Sequence, residues 1–183
     1  MGRRTIPLLA GAVCLALAAV PAARAGMRVL APPDGAVVDR SPVTVIGTGA
    51  SAAVELTITG ERTVGTVGGK LSGKAFTAEV PLSPGENVVL IKSGGESQRI
   101  GYTYVPKDPP ASVFRYHPPV AEGDCKSCHP QGVGRTSPVS EAKLCNLCHD
   151  PKTGSKRLHG PLGTGMCSVC HDPHGSDKQY LLR

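Results

Sequence analysis

The segment from Lys107 to Arg183 cannot fold on its own apolar content. Leu, Ile, Val and Phe supply 12 of its 77 residues, below the roughly 20% at which chains stop burying a self-sufficient core. It shows no amphipathic helix of three turns. Such a segment needs a staple, covalent or coordinated. Every cysteine downstream of residue 25 lies inside it, in three copies of one pattern: "CKSCH" (125–129), "CNLCH" (145–149) and "CSVCH" (167–171).

A Cys-x-x-Cys pair can hold zinc, or it can anchor a c-type haem when His follows directly. Zinc does not require a His after each pair. Covalent haem attachment does. Two thiols add to the two porphyrin vinyl groups, the two-residue gap sets them one helical turn apart, and the next His points at the iron. Three such motifs with no cysteine outside them after residue 25 favour haem over zinc, at a count of three haem c. Cys125 with Cys128, Cys145 with Cys148 and Cys167 with Cys170 are the attachment points, and His129, His149 and His171 the proximal ligands.

The histidine count agrees. Three haems offer six axial positions, and the chain has 6 His. Beyond the proximal three stand His117, His159 and His174, the expected distal ligands. Met166 is bonded directly to Cys167 and badly placed to reach an iron, and Met27 lies at the far terminus. "HPPVAEGDCKSCHP" and "HGPLGTGMCSVCHDP" align as H-x-P-x-x-x-G-x-C-x-x-C-H, an internal repeat in which one loop shape is used twice. The expected pairing gives His117 to the haem of Cys125, Cys128 and His129, and His159 to that of Cys167, Cys170 and His171. His174, three residues past His171, is expected to cross to the haem of Cys145, Cys148 and His149.

The N-terminus reads as an export signal over residues 1–25. Arg3 and Arg4 form a charged start, Ile6 to Val20 an apolar run too short for a membrane span, and Ala23-Arg24-Ala25 a cleavage site. Cys14 follows a Val too bulky for a lipid-attachment site. The formal charge of +6 falls to +3 without Arg3, Arg4 and Arg24. With no block of like charge and few aromatics, nothing marks a nucleic-acid surface. Export without a retained transmembrane helix implies the bacterial cell envelope, periplasmic or extracellular. Disulfides are the usual use of cysteine there, so these paired spacings need the other explanation.

Residues 26–106 differ in kind. After residue 25 this stretch holds neither Cys nor His. "SPVTVIGTG" (41–49), "AAVELTIT" (52–59), "KAFTAEVPL" (74–82), "ENVVLIKSG" (86–94) and "SQRIGYTYV" (97–105) read as strands. Val54, Leu56 and Ile58 alternate with Glu55, Thr57 and Thr59. Pro32-Pro33-Asp34-Gly35, Gly68-Gly69, Ser83-Pro84-Gly85 and Gly94-Gly95 read as breaks. Six or seven short strands in about 80 residues predict an antiparallel β-sandwich. Residues 107–116 form a Pro-rich linker, expected to be extended and semi-rigid. The fold class is a mainly β N-terminal sandwich followed by an irregular, helix-poor multihaem segment, 117–183.

Two resemblances accompany these readings. "APPDGAVVDRSPVTVIGTG" followed by "VPLSPGENVVLI" resembles bacterial immunoglobulin-like modules attached to exported proteins, which implies a spacer or docking unit without chemistry. "HGPLGTGMCSVCHDPHGS", with "LCNLCHDP" before it, resembles the doubled CXXCH motif of multihaem cytochromes c. Its H-x7-C-x-x-C-H arm is similar to the cytochrome c3 and c7 type. That implies closely spaced, low-potential haems relaying electrons in bacterial respiration of inorganic acceptors. The implied partners are other redox proteins, multihaem cytochromes or a membrane quinol-linked complex. The first motif has no partner motif before it and departs from the doubled pattern. The expected function is therefore a non-enzymatic electron relay with three bis-histidine haems. Two alternatives stand beside it: a small nitrite- or hydroxylamine-type reductase with one open iron, and a docking subunit of a larger cytochrome complex.

Overall fold

The computed structural model describes residues 26–132, 139–152, 156–158 and 160–183. The expected signal segment and His159 lie outside that set. The N-terminal part is built from β1 (Arg28–Ala31), β2 (Ala36–Val38), β3 (Val43–Thr48), β4 (Val54–Gly60), β5 (Val64–Ser72), β6 (Ala75–Val80), β7 (Gly85–Ser93) and β8 (Glu96–Tyr104). They pair in the order β1-β3-β6-β5-β4-β7-β8-β2. One apolar cluster takes side chains from both halves of that order, Val43, Val45, Phe76 and Val80 on one side of β5 meeting Leu56, Ile58, Val89 and Ile91 on the other. The sheet thus folds over on itself as a sandwich. The alternation of β4 does what its pattern predicts: Val54, Leu56 and Ile58 are buried, while Glu55 and Thr59 are exposed. Each such fully buried aliphatic side chain contributes roughly 1.5–3 kcal/mol.

Three strands go beyond the sequence expectation. β1 and β2 are short and fall among the prolines. β5 runs through Gly68-Gly69, which read as a break. The two glycines mark a change of partner instead. Gly69 still pairs with Val54 of β4, and Lys70 already pairs with Thr77 of β6. A Cβ on Gly69 would stand 3.0 Å from the Val54 Cβ, so the glycine permits the close crossing. The pairing is not wholly antiparallel either, since β2 runs parallel to β8. The Ser83-Pro84-Gly85 break does hold. Buried Asn87 accepts from the Ser83 N–H at 2.9 Å and donates to the Ser83 and Gly85 carbonyls at 2.8 and 2.9 Å, while Gly85 takes a φ of +94°.

The Pro-rich join is only partly a spacer. Val113 and Phe114 are buried, Phe114 within the sandwich core, and the Phe114 N–H donates to the Val37 carbonyl of β2 at 2.8 Å. From there β9 (Arg115–Tyr116) pairs antiparallel with β10 (Gly175–Ser176) near the far end of the chain. Past Phe114, Gly175 and Ser176 alone are buried among the described residues. The rest of this part consists of turns and three short helices, α1 (Pro118–Ala121), α2 (Glu141–Cys145) and α3 (Gly160–Gly163).

Candidate haem-attachment site

Each Cys-x-x-Cys-His forms one helical turn. The His N–H donates to the carbonyl of the first cysteine four residues back: His129 to Cys125 at 2.9 Å, His149 to Cys145 at 2.9 Å, His171 to Cys167 at 3.0 Å. The turn sets the two thiols of a motif on one side, as double attachment requires. All six cysteines are free thiols. Burial raises the Cys128 thiol, with Asp124 and Cys148 adding to it. Burial, followed by a hydrogen bond to Cys167, pushes the Cys145 thiol up to about 11. The second motif thus neighbours both of the others. Glu141 of α2 ties the second to the third, accepting from the Ser168 backbone N–H and, at 3.1 Å, from its hydroxyl.

The repeated arm is one loop shape, as the alignment predicts. In the first copy Gly123 closes α1 at φ +76°, and in the second Gly165 closes α3 at φ +71°. Asp124 N–H donates to the Pro119 carbonyl at 2.8 Å and Gly123 N–H to Val120 at 3.1 Å; Met166 to Pro161 at 2.9 Å and Gly165 to Leu162 at 3.1 Å repeat the set. This is a Schellman ending on a single helical turn. Only glycine takes the left-handed position at no steric cost.

Where the first arm leads is a correction. His117 does not face His129. Its ring lies 6.0 Å from that of His149, with 21° between the planes. The His174 ring lies 6.5 Å from that of His129, with 5° between the planes. The expected partners of His117 and His174 are exchanged. The cause is the β9–β10 pairing. Tyr116 sits opposite Gly175, and the next step brings His117 beside His174, with its N–H donating to the His174 carbonyl at 3.2 Å. Sequence spacing within one motif could not show a contact spanning 57 residues. His159, assigned to His171, is outside the described residues.

These pairs fit an axially ligated iron. Two imidazoles bonded to one metal from opposite sides put their centres about 6 Å apart, from roughly 2 Å per metal–nitrogen bond and roughly 1 Å from ring centre to nitrogen. Among the described residues no three His, Cys, Asp or Glu gather into a set that could hold a metal by themselves. Ring orientation is also prepared. The His171 Nδ1 lies 2.8 Å from the Tyr180 carbonyl, and the His174 Nδ1 lies 3.5 Å from Asp172. Each contact leaves Nε2 for a metal. Burial holds His117 below the usual histidine range, with His149 adding to it. Burial also lowers His174, against the opposing pull of Asp172. Both are thus kept in the neutral, ligating form. Sequence reading missed Phe114, Tyr116, Asp172, Glu141 and the Tyr180 carbonyl as supports. Only "VFRYH" carried a signal, in the apolar alternation of Phe114 and Tyr116 just before a histidine.

Residues 159–183 match the family described as the doubled CXXCH motif. No curated protein matches the chain. A crystal structure of an engineered protein is similar at 22% identity and a TM-score of 0.32, over 43% of this chain and 19% of that one. The family match and the motif geometry make the C-terminal segment a c-type cytochrome-like, haem-binding one, of a kind that suits electron transfer. No helix among the described residues is long and apolar enough to cross a membrane.

Proposed function

We propose that the chain is an exported electron-transfer protein carrying three covalent haem c groups, each with two histidine ligands. The observation that carries this reading is the pairing of rings: twice, a motif histidine faces a histidine from outside the motifs. Cys125 and Cys128 would hold a first haem between His129 and His174. Cys145 and Cys148 would hold a second between His149 and His117. Cys167 and Cys170 would hold a third on His171, with His159 as its remaining partner by elimination. Bound haem supplies the Fe(III)/Fe(II) couple. The chain would supply the rest: thiols to fix each macrocycle, histidine rings to hold each iron, and motif contacts to keep the three sites adjacent. With two histidines held on each iron, electron exchange would be the chemistry of the sites.

The N-terminal sandwich reads as an immunoglobulin-like module. The working compartment is the cell envelope, with other multihaem cytochromes or a quinol-linked complex as partners. A pyridine haemochrome assay with an optical redox titration tests the core of this. Three haems per chain, all low-spin in both oxidation states, are expected. A colourless purified protein would return the cysteines to zinc, and a high-spin ferric band in the native protein would point to the reductase reading.

A further inference from the structure

The sandwich lies closer to the ligand rings than a spacer should. Phe114, in the sandwich core, and Tyr116 flank Arg115 at the root of β9, and their rings meet edge to face at 5.1 Å. The Tyr116 hydroxyl donates to the Thr44 carbonyl of β3 at 2.6 Å. The Arg40 guanidinium lies 5.9 Å over the same ring. The residue after Tyr116 is His117. Across the ladder Gly175 passes so near that a Cβ there would stand 2.5 Å from the Phe114 ring, and the residue before it is His174. Both distal ligands therefore start from a two-strand ladder bolted to the sandwich, and a backbone hydrogen bond joins them.

We propose that the β-sandwich sets the distal ligands of the first and second haem sites through this ladder, with Tyr116 as the positioning residue. The proposal rests on the three-haem reading and deepens it. The motifs bring their own proximal histidines in the same helical turn as the thiols. The distal ones have no such local tether, and a ring free to swing spends part of its time off the metal. Holding its backbone against a rigid sheet reduces that fraction. The third site has no residue on this ladder and should be indifferent to it.

Carbon monoxide binding to the fully reduced protein reads the effect, because it must wait for the distal histidine to leave. Tyr116→Phe keeps the ring packing and removes the bond to Thr44. Entry of carbon monoxide should become about fivefold faster, the worth of one such hydrogen bond, at two of the three haems. In a Cys167→Ser/Cys170→Ser background, which lacks the third attachment, the unaccelerated phase should vanish. Unchanged rates, alone or with a lower melting temperature of the sandwich, would make Tyr116 merely structural and overturn the proposal. So would acceleration at one haem, at all three, or at the third. Haem count and spin state of the unaltered protein are read first. If those are not three and low-spin, the functional reading fails; if they are and the kinetics do not change, this inference alone fails.

Discussion

At His174 the backbone and the ring answer to different parts of the chain. The backbone follows His171 by three residues, yet the ring faces His129 of the first motif. The assignment can be read from crossed variants. His117→Ala should create one high-spin haem in a Cys125→Ser/Cys128→Ser background and none in a Cys145→Ser/Cys148→Ser background. His174→Ala should do the reverse, with electron paramagnetic resonance as the readout. The two arm glycines allow a second comparison. Gly123 and Gly165 share a left-handed φ, so alanine costs about 1–2 kcal/mol at either. At Gly165 the new Cβ also stands 2.7 Å from Ala142 Cβ, whereas at Gly123 nothing lies within 4 Å. Thermal unfolding of the loaded protein, followed in the haem absorbance, should therefore fall further for Gly165→Ala than for Gly123→Ala.

Among the elements, the C-terminal tail works as a clasp on the third motif. A short turn over Gln179–Leu181, with Tyr180 and Leu181 in the left-handed region at φ 59° and 56°, places the Tyr180 carbonyl against His171 Nδ1. The tail then pairs back: Asp172 N–H to the Leu181 carbonyl at 2.8 Å, Arg183 N–H to Cys170 at 2.9 Å, and Arg183 Nε to Ser168 at 2.7 Å. A hydrogen bond to the far nitrogen of a ligating histidine orients the ring and makes it more basic, which favours the oxidised metal. Deleting residues 180–183 should weaken His171 ligation on the order of tenfold and raise the potential of the third haem. Spectropotentiometry should find the second potential unmoved and a smaller shift at the first, because Arg183 also pairs with Asp172, the carboxylate beside His174.

On the scale of the whole molecule, the described residues of one half carry a packed core and those of the other do not. Nearly every buried side chain lies at or before Phe114, and the remainder is held by turns, the β9–β10 ladder and whatever its cysteines bind. Protein made without haem-attachment machinery should keep the β-type circular dichroism of the sandwich. Residues 117–183 should then be cut rapidly by protease, because a cofactor-stapled segment loses its folding free energy with the cofactor. A protease-resistant apo segment would show a core of its own. With residues 1–25 removed and three haems bound, six propionates would face a polypeptide of +3 and about three ferric charges, a near balance that each arriving electron would tip toward the negative.

The sequence by itself determined everything local. The alternation of Val54, Leu56 and Ile58 set the buried face of β4, because side chains on a strand repeat every two residues. The Cys-x-x-Cys-His spacing set the helical turn that presents two thiols and a ring, because donor and acceptor lie four residues apart. The arm repeat set its Schellman ending, because Pro and a left-handed Gly leave the chain few other courses. Tertiary structure decided what depends on contacts between distant residues. The run through Gly68-Gly69 became a strand because β4 and β6 offered successive partners, which composition does not record. Phe114 left the linker for the core because its ring joins the sandwich cluster while its N–H meets the Val37 carbonyl of β2. His117 and His174 exchanged their expected motifs because the β9–β10 ladder set them side by side. Spacing along the chain says how far a histidine can reach; the strand beside it fixes where the ring is held.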